Sequence, residues 1–287
     1  MFDLKYRYTC VDRFLRYATY DTQSDEESTS FPSTEKQKKL SAELARELKK
    51  MGLRDAAMDK WGYVMATLPA NAAKKVPPIA FIAHVDTSPA VTGKGVKPIV
   101  HRKYKGGDIR LPKGGRVIKT SENPDLRKMK GFDVITSDGA TLLGADNKAG
   151  IAEIMDAANY LITHPEVKHG PIKICFTPDE EVGRGTEKID LKKLGAKYAY
   201  TVDGSSRGEV EAETFSADMV VLKFIGKNIH PGYAKNKMIN SIKLAAAFME
   251  SLPKKKLSPE TTEKRQGYVH CTTISGLEEA TTLKMIQ

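Results

Sequence analysis

Leu40, Leu44 and Leu48 recur at every fourth position and stop at Gly52. That spacing predicts one buried face of a helix ended by a glycine. Ahead of it, Thr34-Glu-Lys-Gln37 reads as a capping box. Tyr63 to Leu68 and Ile79 to Ala83 predict short strands, the second an uninterrupted apolar run suited to a buried parallel position. Thr92 to Gly131, rich in glycine, lysine and proline, predicts a loop-like excursion with short edge strands at most. Ile151, Ile154, Met155, Ala158, Leu161 and Ile162 then keep a helical period over Ala149 to Ile162. Two more buried strands are predicted at Ile172 to Thr177 and Tyr198 to Val202, with a short helix near Asp190 to Leu194 between them.

This alternation predicts an α/β fold, an open and mostly parallel sheet with helices on both faces. The texture changes around Glu211 to Ser216. Beyond it, strands at Met219 to Ile225, Tyr268 to Ile274 and Thr281 to Ile286, with a turn at Gly276, surround one amphipathic helix at Ile239 to Leu252. We therefore expect two domains, residues 1–212 and a smaller α+β domain over 213–287.

Charge and cysteine usage change this picture little. The net charge is +10, but the basic residues are spread along the sequence, the densest run being Lys254, Lys255 and Lys256. No aromatic-interleaved basic motif accompanies them, so a solvated basic surface is expected and no nucleic-acid partner. No apolar run approaches the roughly 20 residues of a membrane helix, and Met1 to Tyr8 is too charged for a secretory signal. A cytoplasmic protein without a membrane partner is the expectation. Cys10, Cys175 and Cys271 are odd in number and widely spaced, which suggests neither a disulfide framework nor a cysteine metal site.

Candidate chemistry gathers where the predicted strands end. Ile79 to Ala83 runs into His84-Val-Asp86, Ile172 to Thr177 into Pro178-Asp-Glu180-Glu181, and Tyr198 to Val202 into Asp203-Gly204. A fourth turn, Gly144-Ala-Asp146, opens the helix beginning near Ala149. Ligands of open α/β sheets bind beyond the carboxyl ends of the strands. Each element alone has an ordinary reading: a surface pair, a solvated acidic doublet, a helix cap, a turn dipeptide. Jointly they put one imidazole and several carboxylates on one rim, where like charges resist ionisation unless a divalent cation joins them. Imidazole mixed with carboxylate suits zinc better than calcium or magnesium.

At these residues the sequence resembles the M20 family of zinc metallopeptidases. The similar segments are His84-Val-Asp86-Thr-Ser-Pro, Thr141-Leu-Leu-Gly-Ala-Asp146-Asn-Lys-Ala-Gly150, Phe176-Thr-Pro-Asp-Glu180-Glu181-Val-Gly and Tyr200-Thr-Val-Asp203-Gly. Tyr104-Lys-Gly-Gly-Asp108-Ile and the stretch from Ile229-His230-Pro to Asn240 resemble the tripeptide aminopeptidase branch in particular. The resemblance implies a site of two zinc ions. His84 and Asp203 would bind one, Glu181 the other and Asp146 both, with Asp86 orienting the imidazole. Glu180 would be the general base, and the Asp146–Asn147 peptide bond would be cis. His230, otherwise a turn histidine before Pro231-Gly232, would steady the oxyanion from a lid domain through which some members form homodimers. His101, His164, His169 and His270 are assigned no role.

The family pattern also implies a further histidine for the Glu181 zinc, beyond the lid. None can be nominated before Gln287, so the lid is expected to be incomplete and the sequence to be truncated at its C-terminus, a fragment of a longer frame. Asn147 after Asp146, and Ser205 after Asp203-Gly204, are smaller departures from the branch. Three functions stay open at this point: an aminopeptidase acting on tripeptides, an M20-type deacylase or carboxypeptidase, and an inactive remnant that binds metal or dimerises.

Overall fold

The computed structural model describes residues 5–204 and 208–287; Ser205 and the first four residues lie outside the described residues. The protein divides into two compact units, Met1–Glu209 and Val210–Gln287.

The first unit opens with α1 (Cys10–Tyr17) and α2 (Gln37–Lys50), followed by β1 (Ala57–Met58), β2 (Val64–Leu68) and β3 (Ile79–His84). Leu40, Leu44 and Leu48 are fully buried on the inner face of α2, as the fourfold spacing predicted. The capping box does not form. Lys36 occupies the cap position with no side-chain bond, the Thr34 hydroxyl donates to the Gln23 carbonyl, and the Gln37 side chain is buried.

The excursion after β3 folds into short pieces: β4 (Ile99–His101), β5 (Ile109–Arg110), β6 (Val117–Ile118), α3 (Pro124–Lys128) and β7 (Val134–Thr136). Pairing of β4 with β7 and β5 with β6 closes a small core of Tyr104, Ile109 and Leu126. Then come α4 (Ala145–Thr163), β8 (Ile172–Thr177), α5 (Leu191–Leu194) and β9 (Tyr198–Thr201).

The main sheet has the order β1-β2-β8-β3-β9. It corrects the mostly parallel expectation: β3 pairs parallel with β8 and β9, but β2 is antiparallel to both β1 and β8. Apolar runs carry no direction, so the pattern of buried positions could not distinguish the two. Helices α1, α2 and α4 share one continuous core with this sheet, built on Tyr17, Leu40, Leu44, Leu48, Ile151, Met155, Ile174 and Phe176. Strand β9 differs from expectation as well. It is an edge strand, all four of its residues are exposed, and Tyr198 and Tyr200 show about half their surface.

The second unit comprises β10 (Met219–Ile225), α6 (Ser241–Ser251), β11 (His270–Gly276) and β12 (Ala280–Ile286), an antiparallel sheet of order β10-β12-β11 with α6 packed on it. Asn240 caps α6 by accepting the amides of Ile242 and Lys243. Ala245, Leu283 and Met285 form its buried interior. The α+β texture read from the sequence is thus the observed one.

A buried leucine on α2 should carry a measurable share of the first unit's stability. Leu44→Ala is expected to lower unfolding free energy by about 2–5 kcal/mol, through lost transfer energy plus a cavity. Denaturant titration of the variant, with an unchanged slope, is the check.

Candidate metal centre

The site is built where β3, β8 and β9 end and α4 begins. The parallel register sets His84 beside Thr177, and the backbone leaves β8 into a turn carrying Glu180 and Glu181. The β3–β9 register brings Ile82 opposite Thr201, two residues before Asp203. Gly150 completes the gathering. A Cβ there would stand 2.0 Å from the Val202 carbonyl and 2.3 Å from Asn147 Oδ1, so only glycine lets α4 press Asp146 toward Asp203. Asp146 and Asn147 are not helical within α4, and the bond between them is cis, as the resemblance implied.

Six of the seven candidate residues come together. His84 Nε2 lies 2.9 Å from Asp146 Oδ1 and 3.8 Å from both Glu180 Oε2 and Asp203 Oδ2. Ligand atoms of His84, Asp146 and Glu181, and likewise of His84, Glu180 and Asp203, fall within 4.8 Å of one another. Both groups share the imidazole. Asp86 sits behind them, fully buried. Its Oδ1 lies 3.3 Å from His84 Nδ1, and its two oxygens accept the backbone amides of Glu180 and Glu181, each at 3.0 Å. His84 Nδ1 also lies 3.1 Å from the Asp86 backbone carbonyl, so this one residue orients the imidazole through both groups while its carboxylate seats the acidic doublet. His230 belongs to the second unit, where its Nδ1 accepts the Gly232 amide, the arrangement of a turn histidine.

The electrostatics are those of crowded like charges. Burial pushes Glu181 up to about 7, helped by the charge of Asp146. Burial also pushes Asp203 up to about 6; the His84 charge opposes this, while Asp146 and Glu180 reinforce it. For His84, burial works against the imidazolium. The hydrogen bond and charge of Asp86, with the charges of Asp203 and Glu180, outweigh it and raise the group to about 9. Lys148, a residue the sequence pattern does not single out, is buried close by and donates to the Tyr20 carbonyl at 2.8 Å. Burial lowers it to about 8, against the charges of Asp21 and Asp86. The buried set Ser33, Gln37 and Asp179 is likewise not evident from sequence. Its one signal was the polar Thr34-Glu-Lys-Gln37 run, which reads as a helix cap.

This donor set fits a divalent cation. The imidazole is shared by two groups, one with Asp146 and Glu181 and one with Glu180 and Asp203, so four carboxylates crowd around it, a donor set in which a cation relieves their repulsion.

Comparisons with known proteins bear on the fold and the family. A family model described as the peptidase dimerisation domain of the M20 group matches residues 212–282. The fold is similar to that of aminopeptidase PepT from Bacillus cereus, at TM-score 0.61 and 23% identity over 96% of this chain and 65% of that one. It is also similar to a Bacillus subtilis protein described as a dinuclear metal-binding peptidase of the M20 family, at TM-score 0.50 and 12% identity over 96% and 62%. Fold and donor set together define the class, an M20-type α/β peptidase fold with a candidate divalent-cation site at its strand ends. In sequence the protein is 52% identical over 277 residues to peptidase T of Geobacillus kaustophilus, an alignment spanning 96% of this chain and 67% of that protein. The chain belongs to the peptidase T family of M20 peptidases, a family of hydrolases. It spans about two thirds of the length of these relatives.

The raised values make a pH prediction for protein held in chelator, where no cation enters the cluster. His84, at about 9 against an ordinary 6.5, contributes stability that is complete below about 6.5 and lost as pH rises through 9. Glu181 and Asp203 bind protons near 7 and 6, above their ordinary 4.5 and 3.8, so the folded state gains as pH falls through that range. All three groups bind protons more tightly when folded, so stability falls with rising pH. Below about pH 8, above which the lowered Lys148 acts in the opposite sense, melting temperature should therefore drop as pH rises from 5, and Glu181→Gln should flatten the pH 5–7 part of that curve. An unchanged slope in the variant would contradict the assignment.

Proposed function

We propose that this protein holds the catalytic centre of a two-zinc aminopeptidase that releases the N-terminal residue of tripeptides. The observation that supports it most is the convergence of His84, Asp146, Glu180, Glu181 and Asp203 within hydrogen-bonding or ligand distance, in a member of the peptidase T family. In this reading residues 1–212 are the catalytic domain and 213–287 the lid, through which the protein forms a homodimer in the cytoplasm. Among the described residues no helix is long and apolar enough to cross a membrane.

His84, Asp146, Glu181 and Asp203 would hold the metal, offering neutral imidazole and ionised carboxylates. Bound there, zinc supplies Lewis acidity toward the scissile carbonyl and lowers the pKa of water toward about 7. The remaining work falls to the protein. Glu180 is the proton carrier: its side chain is about half exposed and can meet both a water and a leaving group. It takes the proton of the attacking water and passes it to the departing amine. Asp86 fixes His84 through Nδ1, leaving Nε2 directed at the carboxylates. His230 keeps the role implied by resemblance, a donor to the tetrahedral oxyanion.

Glu180→Ala should lower kcat by about 10²–10⁴ while zinc content stays at the wild-type value. Steady-state hydrolysis of unblocked tripeptides with metal analysis of the same sample is the check. Normal turnover in the variant removes Glu180 as the base. Preferential turnover of N-acyl amino acids moves the assignment to a deacylase.

A further inference from the structure

Glu180 and Glu181 project from a turn that little in their own side chains holds. Both are partly exposed, and the nearest contact of Glu180 to His84 is 3.8 Å. Their placement is therefore set by the backbone of the turn. One side of that turn is seated on Asp86, as described above. The other side is seated on Asp179.

Asp179 is fully buried and adopts the left-handed conformation, with φ +56° and ψ 29°. Aspartate and asparagine tolerate that region better than other residues with a Cβ. Its Oδ2 accepts the Ser33 amide at 2.6 Å. Its Oδ1 accepts the Ser33 hydroxyl and the Gln37 side-chain amide, the latter at 2.6 Å. In return the Asp179 amide donates to Gln37 Oε1 at 3.1 Å. Gln37 is itself fully buried at the first turn of α2. The Asp179 carbonyl then accepts the Arg184 amide at 2.9 Å, closing the turn around the two glutamates. Arg184 ties the far end to the Ser28 carbonyl.

The named donors to Asp179 are all uncharged. A buried carboxylate satisfied by neutral donors is a costly way to gain stability, since an apolar side chain of similar volume commonly does as well. What it supplies is a fixed direction. Four bonds, two of them a reciprocal pair with Gln37, fix the turn against Ser33 and the start of α2, and hence the direction of the residues that follow.

We propose that Asp179, bonded to Ser33 and Gln37, is a positioning residue that sets the placement of Glu180 and Glu181 for metal binding and proton transfer. This rests on the metallopeptidase reading of the site. Asp179 touches neither metal nor substrate; it acts through the turn.

The test is Asp179→Asn in the intact protein. Asparagine keeps the tolerance for left-handed backbone but turns one acceptor into an NH2 group facing Ser33 or Gln37. Two quantities are read: Co²⁺ affinity of the metal-free protein, followed by visible ligand-field absorption, and kcat and KM on a tripeptide at saturating metal. Expected is an about 10–100-fold loss in Co²⁺ affinity or kcat, with an altered Co²⁺ spectrum and KM within about threefold. Ser33→Ala should give a smaller loss of the same kind, and it carries the test alone if Asp179→Asn does not fold. A role confined to stability would lower the melting temperature while leaving the spectrum and kcat per folded molecule at wild-type values, and that result overturns the proposal. Wild-type protein that neither binds Co²⁺ nor cleaves peptide removes the metallopeptidase reading itself, and the positioning role with it.

Discussion

Like charges a few ångströms apart repel, and the strand ends of this fold hold four carboxylates around one imidazole in spite of it. Asp146, Glu180, Glu181 and Asp203 gather at His84, and burial together with the charges of their acidic neighbours drives Glu181 and Asp203 well above the ordinary carboxylate range, against the opposing charge of His84. Such an arrangement stores unfavourable electrostatic energy whenever the carboxylates ionise without a cation. Much else in the first unit follows from sustaining it: the parallel β8-β3-β9 register, the glycine at position 150 and the break at Asp146–Asn147 that turns one carboxylate inward before α4 becomes regular. The long core shared by α1, α2, α4 and the sheet supplies the stability against which that repulsion is held.

The legible part of this architecture was the part written in apolar period and strand-end chemistry. Ile79 to Ala83 and Ile172 to Thr177 were visible because a buried strand must be apolar along its length. His84, Asp86, Glu180, Glu181 and Asp203 were visible because each follows such a run within a few residues, and Asp146 because it opens the helix that follows a glycine turn. Direction was not legible, because β2 reads the same parallel or antiparallel. Nor was the exposure of β9, since Tyr198 and Tyr200 look like core aromatics in sequence yet lie at a sheet edge. The capping-box reading failed for a different reason. A local rule gave Thr34 and Gln37 to each other; the Gln37 side-chain amide keeps only a 3.3 Å contact to the Thr34 hydroxyl, and its short 2.6 Å bond goes to Asp179, 142 positions away. Local hydrogen-bond patterns compete with long-range ones that only the fold brings within reach.

Burial sorts the carboxylates of the site into two kinds, and the sorting explains their chemistry. Asp86 and Asp179 are fully buried, and each has its oxygens occupied by N–H or O–H donors. A carboxylate whose two oxygens are both engaged by buried donors offers little to a cation or a proton, and its main effect is to hold direction. Asp146, with a side chain 73% exposed, and Glu180 at 53% keep oxygens facing the open side of the rim. These groups retain the free lone pairs that ligation and proton transfer require. The two kinds are coupled through short backbone spans: Asp86 lies two residues from His84, and Asp179 one residue from Glu180. An error in the buried pair is thus passed to the exposed set with little backbone between to absorb it. Reacting groups left half-exposed, as they must be to meet water and peptide, can be accurate only when their neighbours in sequence are buried and saturated.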